Sequence, residues 1–196
     1  MYVKAIEKYE PKTELERLDK NTMLACIKAF PDTVLRRENT VAHICVSAFI
    51  LNEELDKVLM IHHNIYNSWG WTGGHADGNE DLLAVAFKEA EEETGVSDLT
   101  LLVPSVASLD ILPVLPHVKN GAVVSSHLHL NVTYLFQANE AAPLRVKPDE
   151  NSGVAWLAVD GLADADIEPF MLPIYQKLIA RAKESQQKEA VKDDEA

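Results

Sequence analysis

The chain is short of cysteine, of positive charge and of long apolar runs, and each shortage removes a class of function. Its two cysteines, Cys26 and Cys45, lie in apolar surroundings without C-x-x-C spacing. That pattern suggests neither a disulfide framework nor a zinc site, and reads as two buried reduced thiols. Lysine and arginine number 18 against 31 aspartates and glutamates, for a formal net charge of −13. Nucleic acids and anionic membranes select Lys/Arg patches, and none is visible, so neither is expected as a partner. A small anionic ligand still fits if a cation mediates. No stretch approaches the ~18 consecutive apolar residues of a membrane span, and the opening "MYVKAIEKYEPK" has no continuous apolar core, so no signal peptide is expected either. These absences together predict a cytoplasmic protein. Internal repeats and low-complexity linkers are also missing.

What remains is ordinary globular material. With 196 residues, 47% of them hydrophobic, the chain can bury one sizeable core, and one domain is expected. Up to about Phe30 it reads as helical, with Leu15, Leu18, Met23, Leu24, Ile27 and Phe30 at spacings of three to five and Pro31 as a stop. "VAHICVSAFIL" and "KVLMIHHN" are rich in β-branched residues and predict a hairpin. "LTLLVPSVASLDILPVLPH" predicts one or two strands punctuated by prolines, and "KNG" a turn. In "SHLHLNVTYLF" strict alternation places His127, His129, Asn131 and Thr133 on one strand face and Leu128, Leu130, Val132, Tyr134 and Phe136 on the other. "GVAWLAVD" predicts a final strand, "PFMLPIYQKLIARAKES" a closing amphipathic helix, and the last residues a frayed polar tail.

Between these elements lies "GHADGNEDLLAVAFKEAEEETGV", Gly74 to Val96. Asn79 or Gly78 can cap a helix over about residues 80–94, with Glu80 and Asp81 at its positive end and Gly95 as the left-handed residue that stops it. Leu82, Leu83, Ala86, Phe87 and Ala90 share the apolar face. Glu89, Glu92 and Glu93, at i, i+3 and i+4, form an arc beside that face, and Glu91 points away. Like charges at helical spacing repel. Three carboxylates beside a buried face either gain protons or recruit a hard cation, whereas a fully solvated arc needs neither. The spacing alone leaves these readings open.

The same stretch resembles the signature of the Nudix hydrolases, G-x5-E-x7-R-E-U-x-E-E-x-G-U, where U is a bulky aliphatic residue. Of nine specified positions over 23 residues, seven match; Lys88 stands in place of arginine and Ala90 in place of U. The resemblance implies an α/β fold, an α/β/α sandwich with a mixed central sheet over about residues 39–182. Residues 1–38 would be an N-terminal helical extension and residues 183–196 an acidic polar tail. It also implies hydrolysis of the diphosphate bond in a nucleoside diphosphate linked to X, or a related small diphosphate, with Mg²⁺ or Mn²⁺. Glu89, Glu92, Glu93 and the carbonyl of Gly74 would hold metal, and the three glutamates would be catalytic. Glu80 and Lys88 would support them, Lys88 by pairing with Glu80 and orienting the other glutamates; lysine keeps the arginine's charge but loses its planar fork. The general base would be a signature glutamate such as Glu93 or a distal one, for which Glu150 is the candidate.

Outside the signature, His75, His127, His129 and Trp71 are the candidate substrate-binding residues. His127 and His129 fit a polar pocket or an H-x-H metal pair, His75 could approach a phosphate, and Trp71, like Trp69, could stack on a base or serve the core. An isomerase acting on isopentenyl diphosphate shares the implied fold but requires a catalytic cysteine, and neither Cys26 nor Cys45 sits in a matching motif. The remaining alternative is a catalytically weak Nudix-like module that binds a nucleotide or sugar. The expected partner is a small-molecule diphosphate, with a homodimer left open.

Overall fold

The structure is a computed structural model and describes residues 1–119 and 121–194. Helices α1 (Tyr2–Lys8) and α2 (Glu14–Ala29) come first, where the periodicity predicts a single helical segment. Pro11 lies in the break between them, and Thr13 starts α2 afresh by accepting a hydrogen bond from Glu16 N at 3.2 Å. Leu15 and Leu18 remain exposed, whereas Glu16 is buried. Strands β1 (Ala42–Leu51), β2 (Lys57–His63), β3 (Ser68–Gly70) and β4 (Thr72–His75) follow, then helix α3 (Leu82–Thr94). Beyond it come β5 (Thr100–Leu101), β6 (Ser108–Val114), β7 (His117–Lys119), β8 (Ala122–Val124), β9 (His127–Gln137), β10 (Asn151–Ala158) and the closing helix α4 (Leu172–Asp194).

Eight strands make one mixed sheet, in the order β10-β2-β1-β9-β5, with β3 on β2, β4 on β1 and β6 on β9. The predicted hairpin is present, with Ile50 opposite Leu59. At the centre, β1 and β9 run parallel over ten residue pairs, from Ala42 opposite Leu128 to Leu51 opposite Gln137. All ten residues of β1 are buried, as a strand covered on both faces requires. Strands β7 and β8 form a small separate hairpin before β9. The "KNG" turn falls between them, and its Asn120 lies outside the described residues.

Alternation along β1 sorts the two layers. Ala42, Ile44, Val46, Ala48 and Ile50 pack with α1, α2 and α3, in a core that also takes Ile6, Met23, Ile27, Leu82, Ala86 and Ala90. Helices α1 and α2 therefore share a core with the sheet. Phe49 and Leu51 face the other way, with Leu55, Val58, Met60 and Leu135, under Tyr175, Leu178 and Ile179 of α4. Each fully buried side chain of this kind stabilises the fold by about 1.5–3 kcal/mol relative to exposure. The remaining residues of that face, His43, Cys45 and Ser47, lie toward the start of β1 beyond this apolar cover and meet polar neighbours. Helix α4 continues to Asp194, through most of the segment read as a frayed tail; residues 195–196 lie outside the described residues. Among the described residues no helix is long and apolar enough to cross a membrane.

Candidate active site

The site is built where α3 crosses the end of β4. Asp81, not Asn79 or Gly78, caps α3 by accepting from Ala84 N at 3.1 Å, while Asn79 Oδ1 accepts from Asp81 N at 2.9 Å. The helix thus begins at Leu82, and Glu80 falls before it rather than in its first turn. Gly95 ends it at φ 80°, in the left-handed conformation expected of it.

Glu89, Glu92 and Glu93 come off the last two turns of α3, and Gly73–Gly74 of β4 form their platform. Glu93 is 3% exposed and accepts a hydrogen bond from Gly73 N at 2.9 Å. A β-carbon on Gly74 would lie 2.5 Å from the carboxyl carbon of Glu89, so this position requires glycine for the carboxylate to sit where it does. Burial pushes the Glu93 carboxyl up to about 8, with help from the charges of Glu150 and Glu89 against the lowering effect of the Gly73 N–H. Burial also raises that of Glu89. Among the described residues no cation lies within salt-bridge distance of Glu93. Glu92 is more open and goes the other way, held down chiefly by a hydrogen bond from Lys147.

Lys147 is the part that the sequence did not reveal. Its ammonium lies 3.2 Å from Glu92 and 2.8 Å from Glu150. Glu150, the candidate distal base, is therefore tethered beside the α3 glutamates. Next to it, the fully buried Asn151 donates to the Glu93 carbonyl at 3.0 Å and fixes the end of β10 against α3. The i, i+3 spacing of Lys147 and Glu150 was a visible signal for their pairing with each other, but not for their position over α3.

Lys88 lies 3.3 Å from Glu92 and 3.6 Å from Glu89. The expected pairing with Glu80 is not formed: Glu80, which lies before the helix, instead accepts from the amino group of Met1 at 2.8 Å.

The histidine candidates gather on the opposite face of the sheet. His75 pairs across from Cys45, and His129 across from His43, so one ligand atom from each of His43, Cys45, His75 and His129 lies within 4.8 Å of the others. Burial and the neighbouring imidazoles pull His129 down to about 2, so its ring is neutral. His127 stacks on His43 with ring centroids 4.9 Å apart, and its Nε2 is 3.2 Å from that of His129. Trp71 is not with them: it packs edge-on against Tyr175 under α4, at 5.4 Å between centroids. Trp69 belongs to the same side and meets His62 edge-on at 5.3 Å. Cys26 and Cys45 are both unbridged.

Comparison with known proteins matches the family model described as NUDIX domain over residues 41–178, well over half of the chain. A curated relative from Streptomyces rubellomurinus, "CMP-5'-(N-acetyl-N-hydroxy-3-aminopropyl)phosphonate hydrolase", is 37% identical over 73 residues, covering 33% of this chain and 35% of that one. The match thus spans about a third of that relative's length. Among solved structures, a Nudix-family hydrolase from Clostridium perfringens is 23% identical, with a TM-score of 0.52 over 70% of this chain and 96% of that one. A C. elegans Ap4A hydrolase is 17% identical, with a TM-score of 0.52 over 70% of this chain and 95% of that one. Both likenesses concern the fold.

Proposed function

Because the chain belongs to the NUDIX domain family, we propose that it hydrolyses the diphosphate bond of a nucleoside diphosphate linked to X, or of a related small diphosphate, at the Glu89, Glu92 and Glu93 face of α3. The observation that carries this reading is the placement of the half-buried Glu89 and the buried Glu93 against Gly73–Gly74, with no salt-bridge partner for Glu93 among the described residues. Oxygen donors of this kind, next to an open Glu92, fit a hard divalent ion. Glu89, Glu92 and Glu93 would hold Mg²⁺ or Mn²⁺, with the Gly74 carbonyl a further ligand. When bound, the ion neutralises charge on the diphosphate oxygens and keeps the buried carboxylates ionised.

The chain's own residues supply the rest. Glu93, enclosed and oriented by the Gly73 N–H, is placed to take the proton of an attacking water. Glu150 is the poorer base, since its carboxylate is engaged by Lys147 at 2.8 Å. Lys147 and Lys88 hold Glu92 from two sides, which keeps it ionised and limits its rotamers. Both ammonium groups also bring positive charge to the glutamates of an otherwise acidic chain, where a diphosphate must approach.

Substrates in which a nucleoside monophosphate is joined to a second phosphorus group are the first to try, in line with the activity for which the Streptomyces relative is named. The test is product release from a panel of nucleoside diphosphate conjugates and small diphosphates, in Mg²⁺, in Mn²⁺ and in chelator, for the wild type beside Glu92→Gln. Metal-dependent turnover that disappears in the variant is the expected result. Binding without turnover on every compound would favour a non-catalytic nucleotide or sugar module instead.

A further inference from the structure

We propose that His43, Cys45, His75 and His129 form a second metal site, distinct from the glutamates, which takes a thiolate- and imidazole-binding divalent ion of the Zn²⁺ type. Sheet geometry brings these donors together. His43 and Cys45 are two residues apart on β1 and so project to the same face; His75 stands opposite Cys45 on β4, and His129 opposite His43 on β9. Val46 pairs with Gly74 one step along, so Gly74 and its contact with Glu89 belong to the other face. The sheet itself separates the two sites.

Three observations favour an ion over a stack of idle rings. The four ligand atoms lie within 4.8 Å of one another. Donors around a tetrahedral ion with bonds of about 2.0–2.3 Å are roughly 3.3–3.6 Å apart, so a small inward shift of the side chains closes the set. His43 is 3% exposed, and among the described residues its Nε2 has no hydrogen-bond partner; a buried polar atom left so loses its hydration without compensation. The other nitrogen of that ring, Nδ1, donates to the backbone carbonyl of Asn39 at 2.9 Å, which leaves the lone pair on Nε2. Such an outer hydrogen bond is the usual way to aim a metal-binding imidazole. His127 adds a similar support. Its Nδ1 lies 2.9 Å from the Ser125 carbonyl, an acceptor only, and its Nε2 lies 3.2 Å from His129 Nε2, so it holds the His129 ring in place.

The donor set determines the ion. One sulfur and three imidazoles select a borderline-soft metal, whereas the all-oxygen α3 site selects a hard one. Four protein ligands also make a closed site, the structural kind. It would pin β4 to β1 and, through β1, to β9, and so hold the Gly73–Gly74 platform from behind. C-x-x-C spacing is missing because the ligands come from three strands.

The whole chain is freed of metal, dialysed against Zn²⁺ or Co²⁺ in a large excess of Mg²⁺, and assayed for bound metal, melting temperature and, with Co²⁺, its visible and near-ultraviolet spectrum. Turnover is not the readout, so failure here is distinct from failure of the hydrolase assignment. One equivalent should be retained, with a rise in melting temperature and the absorption of tetrahedral cobalt bearing a thiolate charge-transfer band. Cys45→Ser should lose that band. Cys45→Ser and the more exposed His75→Ala should each weaken binding by at least about 100-fold, the upper end of what loss of an outer partner costs, with unchanged far-ultraviolet circular dichroism. A wild type that retains no Zn²⁺ or Co²⁺ and shows no thermal shift overturns the proposal. So does wild-type affinity in both folded variants, which would place the ion elsewhere.

Discussion

Glu89 lies so close over Gly74 that a β-carbon there would be 2.5 Å from its carboxyl carbon and 2.7 and 2.8 Å from its oxygens. The neighbouring Gly73 is tight for a different reason: its β-carbon would run into the backbone carbonyl of Val46 and lie 3.0 Å from the Ser47 Cα. A carboxylate at the end of a flexible side chain can move aside, but a strand backbone cannot. Gly74→Ala should therefore leave the melting temperature within about 2 °C of wild type while reducing kcat by about 100-fold, as misplacing a catalytic group by about 1 Å does. Gly73→Ala should behave as overpacking and lower the melting temperature by about 2–12 °C. Thermal melts and kcat on the two variants separate the effects; full turnover in Gly74→Ala would mean that Glu89 is not required in its present place.

The burial of Glu93 has a pH signature. Its carboxyl titrates near 4.5 when unfolded and is pushed up to about 8 in the fold. Between these values the unfolded chain releases a proton that the folded chain keeps, so in chelator this group makes stability fall as pH rises from about 4.5 to about 8, after which its contribution is level. Glu93→Gln removes that slope and should gain on the wild type as pH increases. The same variant should lose about 10²–10⁴-fold in kcat if Glu93 is the base, whereas Glu150→Gln should stay within about fivefold. Parallel melts from pH 5 to 9 check the first statement and steady-state kinetics the second; a larger kinetic loss in Glu150→Gln would reverse the two roles.

Lys147, 3.2 Å from Glu92, occupies electrostatic space that a divalent ion would share. Lys147→Met should lower the Mg²⁺ concentration for half-maximal activity by about two- to fivefold, a small factor because pairs of this exposure are weak. If Lys147 also meets substrate, KM rises in the same variant. A metal titration at saturating substrate reads the first effect alone; no change in the half-activating concentration would remove Lys147 from the metal-binding balance.

What the sequence made legible was local. The apolar and acidic arcs of α3, its stop at Gly95 and the alternation of β9 follow from spacings within a few residues, and those features are found as expected. The start of α3 was misplaced because Asn79, Asp81 and Gly78 are all competent near a helix N-terminus, and only the turn geometry decides for Asp81. The rest depends on pairings between distant parts of the chain. Parallel pairing of β1 with β9 brings His43 to His129, 86 residues on, and no periodicity within either strand announces it. Lys147 reaches Glu92 across 55 residues. Glu16, between the exposed Leu15 and Leu18, is buried because Lys177 and Arg181 reach it from the far end of the chain.

Those partners set the last prediction. Glu16 receives Tyr9 OH at 2.8 Å, Lys12 N at 2.9 Å, Arg181 at 2.6 Å and Lys177 at 3.1 Å; Lys177 also reaches Asp110 at 2.6 Å, and Arg181 donates to the carbonyl of Ala107. One carboxylate thereby ties α2, α4 and β6 together. Burial alone would raise its titration point, but the hydrogen bonds and cations outweigh burial and bring it down to about 2. Its stabilising contribution is complete above about pH 4.5, where the unfolded chain is also ionised, and is lost as pH falls from there toward 2. Removing the charge leaves the buried Arg181 without its carboxylate, so Glu16→Ala should cost about 3–5 kcal/mol at neutral pH. Glu16→Gln should flatten the acid limb of the stability curve. Urea unfolding between pH 2.5 and 7 measures both. An acid limb as steep in Glu16→Gln as in the wild type would assign that dependence to other carboxylates.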